Sequence, residues 1–246
     1  MARDRFDDQL GEVGEAVVDL AELVCDRLRT ALGALVEGDE RRAERVLDGS
    51  RDVAARCAEV ESACFSAIAL QHPVAGDLRY LLSSFAVVGE LRQLSALADR
   101  FGQYARIADG SQFGPVDVRS LSELAVGTAE TAVDAYRRLA AAGSREERDA
   151  VADDDGPCHG TVLRRERLGR FCGNASEGLV LWLADPENAP ADADEMAVRL
   201  AAVLAVRDLR RVGIRAVNIA GRVLHAATND DGLINRYDTR RSPERA

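Results

Sequence analysis

Any chemistry in this chain would have to come from few residues. His72, His159 and His225 are the only three histidines. A di-iron site in a helical bundle wants Glu-x-x-His on inward faces. Ala69, Gly156 and Arg222 stand three residues before the histidines, so that pattern is absent. Cys25, Cys57, Cys64, Cys158 and Cys172 show no CxxC spacing. They read as small buried apolar side chains in a reducing compartment. Asp153-Asp154-Asp155 with Cys158 and His159 is the densest run of ligating residue types. It lacks the Gly and Glu of an EF-hand and the second Cys pair of a zinc site, and reads as a polar kink. Neither a Gly-rich phosphate loop nor a nucleophile–base set is visible. The expectation is a chain without catalytic residues, metal or cofactor.

What remains is arginine, which supplies all 32 positive residues. The formal net charge is −10, which repels phosphate backbones and argues against nucleic-acid binding. No signal-peptide pattern opens the chain, and no apolar run approaches the roughly 18 residues of a membrane span. A cytoplasmic protein is expected. Aromatic residues are 4% against a hydrophobic class of 47%, a composition suited to closely packed helices.

The chain also repeats itself. Ala86–Ala98 aligns without a gap on Leu204–Ala216, a shift of 118 residues (209 less 91). The shared pattern is acid, Leu, Arg, any, aliphatic, small, any, any, Ala. A shift near half the length implies two copies of one unit. Heptad-like stripes predict helices over about 5–37, 39–71, 73–108, 116–142, 144–182 and 192–227. Gly38 should stop the first, and Asp39 cap the second. Pro73 should open the third from its first turn, with Asp77 favouring the helix N-terminus. Ser144 with Glu147 reads as a capping box. Asp155-Gly156-Pro157 should break or kink the fifth helix in its first third, and Gly173-Asn174 weaken it. The predicted architecture is all-α: two tandem three-helix bundles of long antiparallel helices, at 5–110 and 116–228, with a disordered tail over 229–246.

On a helical wheel Leu209, Val212, Ala216, Ala220 and Val223 mark a core face. Arg207, Arg211, Arg215 and Arg222 fall on the opposite side, with Arg210 and Ile214 beside them. This stripe reads either as an ordinary solvated face or as a docking strip for an acidic helix or a phosphorylated group.

Leu70-Gln71-His72-Pro73-Val74-Ala75-Gly76-Asp77-Leu78-Arg79 closely resembles the Leu-x-x-x-Pro-Val-Ala-x-Asp-Leu-Arg signature of the PhoU family. Ala216-Val217-Asn218-Ile219-Ala220 resembles the ending of that family's third helix. The resemblance spans about residues 5–227. It implies a dimeric, non-catalytic cytosolic regulator at the inner face of the membrane, reaching it only through partners. Those partners would be the ATPase of a phosphate ABC transporter and a sensor histidine kinase. It also implies contact residues at the corner, Gln71, Pro73, Asp77 and Arg79. In the family an acidic Glu-Arg-Ile-Gly-Asp motif on each third helix binds metal clusters. Here Arg92-Gln93-Leu94-Ser95-Ala96 and Arg210-Arg211-Val212-Gly213-Ile214 stand in its place, so both carboxylate positions are lost in both copies. A scaffold or adaptor that left phosphate control is the alternative expectation.

Overall fold

The computed structural model describes residues 2–142, 147, 150–151 and 156–228. Among them every regular element is helical. Helix α1 spans Ala2–Glu37, about 54 Å at 1.5 Å per residue. Of its stripe, Phe6, Val13, Val17, Leu20, Val24, Leu28, Leu32 and Leu35 are buried, and Leu10 is partly buried against the same core. Gly38, with φ +67°, ends it in a conformation that costs a glycine little. The Asp39 side chain then accepts from Arg42 N–H at 3.0 Å and caps α2.

The single helix expected over 39–71 is two: α2, Glu40–Asp48, and α3, Ser50–Gln71. The break falls at Gly49, where a Cβ would collide with the Arg27 guanidinium. That guanidinium is held by Asp99 at 2.7 Å, and Ser50 donates to the same carboxylate oxygen at 2.7 Å. A buried charge from α1 thus threads through the break to reach the fourth helix.

Helix α3 ends at His72, which is left-handed with φ 48°. Pro73 lies between helices and not in a first turn, a correction to the sequence reading. Val74 is extended, and α4 begins only at Ala75, running to Ala105. The chain reverses through two residues of positive φ, His72 and Ala75, both at 48°, with Pro73 and Val74 between them. Asp77 does sit in the first turn of α4.

A short 3₁₀ turn, Gly110–Gln112, is closed by a capping box of Asp109 and Gln112. Helix α5, Val118–Ala141, is capped by Asp117. Helix α6 spans Pro157–Ala184, with Gly156 as N-cap and Pro157 in the first turn. Gly156-Pro157 opens this helix, at the position where the sequence predicts a break or a kink. Gly173-Asn174 does not interrupt it. Helix α7 spans Ala193–Thr228. Ser144, the Asp153–Asp155 run and the tail 229–246 lie outside the described residues.

Helices α1, α4, α5 and α7 make the central layer: α1 and α7 each pack on both α4 and α5. The α2–α3 pair flanks α1 and α4, and α6 flanks α5 and α7. Phe101, Phe113, Tyr136 and Leu168 fill the core with residual exposure of 1% or less. All five cysteines are buried free thiols. Burial pushes Cys25 and Cys158 up to about 12, and Cys64 and Cys172 to about 11. Among the described residues no helix is long and apolar enough to cross a membrane.

Candidate functional site

The third helix of each copy meets the other along an antiparallel seam between α4 and α7. Asp208 on α7 is fully buried there and accepts a hydrogen bond from the Tyr104 hydroxyl of α4 at 2.8 Å. Arg100 Nε lies 3.4 Å away, Arg207 Nε 3.4 Å and Arg211 Nη1 3.3 Å. At the other end of the seam Glu90 on α4 accepts from Arg215 and from Asn218, each at 3.1 Å. The repeat interval of 118 turns one pairing into the other: Arg100 maps onto Asn218, and Asp208 onto Glu90. Each copy thus gives a carboxylate to the third helix of its mate, around an internal twofold axis. Burial chiefly, and then the bond to Asp208, push the Tyr104 phenol up to about 12.

The first helices carry the same relation. Arg29 on α1 pairs with Glu130 on α5, and Arg137 on α5 pairs with Glu22 on α1 at 2.9 Å. Each arginine is also held by an aspartate three residues back, Asp26 and Asp134. Here the interval is 108 (130 less 22, 137 less 29). The two intervals differ because the second copy is ten residues longer between its first and third helices.

The residues singled out from the sequence fall in two separate places. On the seam, Arg207 and Arg211 bind Asp208 with side chains 51% and 43% exposed. Arg215 is turned to Glu90. Arg210 is exposed and forms no ion pair among the described residues. Arg92 is exposed on α4 and pairs with Glu61 of α3 at 2.7 Å, the bond that chiefly raises its pKa. The stripe is outward-facing as expected, but much of its charge is committed within the chain.

The corner lies elsewhere. Gln71 is exposed at the end of α3, while Pro73, Asp77 and Arg79 are half-buried. Asp77 lines a cavity of about 440 Å³ with Asp7, Tyr80, Leu139 and Ala226. Ala226 is 19 residues along α7 from Arg207, about 28 Å. The corner and the Arg207–Arg211 end of the stripe are therefore not one surface.

Two features escaped the sequence reading. The first is the inward carboxylate, Asp208, with Tyr104 and Arg100. Its signal was present, since the repeated pattern begins with an acid in both copies. The second is exposed apolar surface on each outer hairpin. Phe65 and Leu70 on α3 stand out with Leu82 and Phe85 on α4. Val180 and Leu181 on α6 stand out with Leu200 and Val203 on α7. Leu82 and Phe85 lie 118 positions before Leu200 and Val203, so this exposure is itself repeated.

The metal clusters implied by the family resemblance do not fit these residues. Arg92, Ala96, Arg210 and Ile214 occupy the carboxylate positions, and a guanidinium cannot ligate a cation. Glu90 and Asp208, two residues before Arg92 and Arg210, already accept from guanidinium, amide and phenol donors, and Glu61 is paired with Arg92.

These features define a class: a helical protein whose two halves pair about an internal twofold axis, with exposed apolar surface repeated on each half. The PhoU domain model matches residues 17–105. The phosphate-specific transport system accessory protein PhoU homolog 2 of Mycobacterium tuberculosis is 30% identical over 158 residues, covering 61% of this chain and 74% of that protein. The PhoU of Serratia marcescens is 24% identical over 229 residues, covering 92% and 86%. The crystal structure of PhoU from Pseudomonas aeruginosa superposes with a TM-score of 0.75 at 21% identity, over 92% of this chain and all of that one. The phosphate transport system regulatory protein PhoU from Streptococcus pneumoniae gives 0.73 at 16% identity. The chain belongs to the PhoU family of phosphate-transport accessory proteins.

Proposed function

We propose that this protein is a non-enzymatic, cytoplasmic regulator of phosphate uptake and phosphate-starvation signalling. It acts by contact with the ATPase of a phosphate ABC transporter, with its sensor histidine kinase, or with both, and works as a homodimer. The observation that carries this reading is family membership joined to a doubled outer surface. Relatives over most of the chain are named as accessory proteins of phosphate-specific transport. The exposed apolar hairpins are repeated, Arg92 and Arg210 stand outward at equivalent positions, and the acids beside them are used internally. Surfaces of this kind suit docking: apolar contact supplies affinity, and arginine forks supply register. Gln71, Pro73, Asp77 and Arg79 form a second contact region at the corner.

Deleting the gene tests the reading. Phosphate uptake should become derepressed at high phosphate, and a pull-down from native membranes should recover the transporter ATPase or the kinase. Unchanged uptake would count against it. A second reading, an adaptor that kept the fold and left phosphate control, is favoured by Arg92, Ala96, Arg210 and Ile214 at the former carboxylate positions. Recovery of unrelated partners alone would favour it.

A further inference from the structure

The two ends of the α4–α7 seam are related by symmetry but differ in charge. Glu90 meets one arginine and one amide, so that end is balanced. Asp208 meets three arginines and a phenol. A carboxylate offers about four acceptor sites, so these donors fill Asp208. The guanidiniums are far from filled. Each carries five N–H groups in a planar fork. Arg100, Arg207 and Arg211 each bring a single nitrogen to Asp208, at 3.3–3.4 Å. None of the three has another ion pair among the described residues.

Their placement adds to this. Asp208 is 0% exposed, while the arginine side chains are 37%, 51% and 43% exposed. The carboxylate lies beneath, and the outer edges of three forks face water. Three nitrogens on one carboxylate are close neighbours, and guanidinium stays protonated at any working pH. Three cations over one anion leave two positive charges at one point, on a chain whose net charge is −10. Such a point concentrates anions locally although the molecule as a whole repels them. The vacant donors select the anion. A carboxylate brings one charge and two oxygens, whereas a phosphoryl group brings nearly two charges and three strong acceptors, matching the excess charge and the three forks.

We propose that Arg100, Arg207 and Arg211 form a binding site for a phosphoryl oxyanion, with Asp208 and Tyr104 holding the three guanidiniums together from below. The ligand is inorganic phosphate or the phosphate of a modified side chain; both present the same chemistry. The site goes beyond the regulator reading and does not rest on it, because it is measured on the purified chain alone.

Calorimetric titration of the full-length protein with inorganic phosphate, and separately with a phosphoserine peptide, is the test. Sodium chloride holds the ionic strength constant. Saturable binding of either probe is expected, weakened about tenfold or more in R207Q and R211Q. R215Q, at the balanced end, should stay within about twofold of the parent. Arg207 reaches Asp208 from the adjacent position, so R207Q disturbs the seam least, and unchanged thermal unfolding would show that its fold is kept. Binding of phosphate alone assigns the free ion. Binding of the peptide alone assigns a modified side chain. Failure of both probes to bind the parent, or equal binding by R207Q, R211Q and R215Q, overturns the proposal. A loss of transporter contact with phosphate binding intact would instead strike only the regulator reading.

Discussion

Removing the buried carboxylate is the sharpest perturbation of this fold. In Asp208→Ala the Tyr104 hydroxyl loses its charged acceptor, and Arg100, Arg207 and Arg211 lose the anion that lets them gather. A hydrogen bond to a charged group is worth about 1.5–3 kcal/mol. The arginines are one-third to one-half exposed, so each ion pair adds only about 0.2–1 kcal/mol after screening. The sum is roughly 2–6 kcal/mol, and the about 3–5 kcal/mol measured for breaking buried pairs falls inside that range. For a chain of this size about 3–5 kcal/mol lowers Tm by roughly 6–20 °C, at about 2–4 °C per kcal/mol. Tyr104→Phe removes one donor while leaving the arginines in place, and should cost about 1–2 kcal/mol. Glu90→Ala loses one amide bond and one ion pair in place of a phenol bond and three ion pairs, and should cost less, about 1–3 kcal/mol. Urea unfolding of the three single variants and of Y104F/D208A measures all of this. A coupling energy of about 1 kcal/mol or more between Tyr104 and Asp208 is expected. If D208A and E90A cost the same, or if Tyr104 and Asp208 prove additive, the buried network does not hold the seam.

Other outcomes follow from the same geometry. Cys25, Cys64, Cys158 and Cys172 have folded pKa values of about 11–12, raised above the ordinary thiol range, and Tyr104 reaches about 12. Their stabilisation is complete below the unfolded values and fades as pH rises from near 9 toward 12, so urea midpoints should fall steadily on the alkaline side. A thiol reagent should leave all five cysteines untouched in the native state and modify them together on unfolding. Gly114→Ala forces a side chain onto a φ of +58° and against the Trp182 ring at 2.9 Å, and should cost about 2 kcal/mol or more by thermal unfolding. Glu130→Arg should cost about 0.5–1 kcal/mol at low salt, a cost that largely vanishes at high salt and that adding Arg29→Glu recovers only in part, because the new carboxylate faces Asp26.

The fold was largely legible because the helices are long. Nine apolar positions on α1 recur at helical spacing; eight are buried, and Leu10 is partly buried. Gly38 and Asp39 also did in space what their types imply in sequence. The break at Gly49 was not legible. Its cause is Arg27, twenty-two residues away, whose guanidinium needs the room a Cβ would take. Pro73 misled because the reversal is made by two residues of positive φ on either side of it, His72 and Ala75, the second a type that rarely adopts this conformation. Within the candidate site the outward stripe was found by periodicity, which sorts faces but does not pair them. That Arg215 belongs to Glu90, or that Arg100 and Tyr104 belong to Asp208, depends on which helix lies opposite. The repeat at 118 was visible by alignment, whereas the one at 108 rests on three charged residues per copy and emerged only when Arg29 met Glu130.

The reciprocal pairs Arg29–Glu130 and Arg137–Glu22 have the form of an isologous contact, the kind two identical subunits make with each other. In a true homodimer every substitution appears on both sides at once, so a patch with surplus charge would be duplicated and its cost doubled. Joining the halves in one polypeptide removes that obligation. One end of the seam can stay neutral as a hinge of structure while its mate gathers three arginines, and the molecule acquires a polarity that no symmetric pair of subunits could possess.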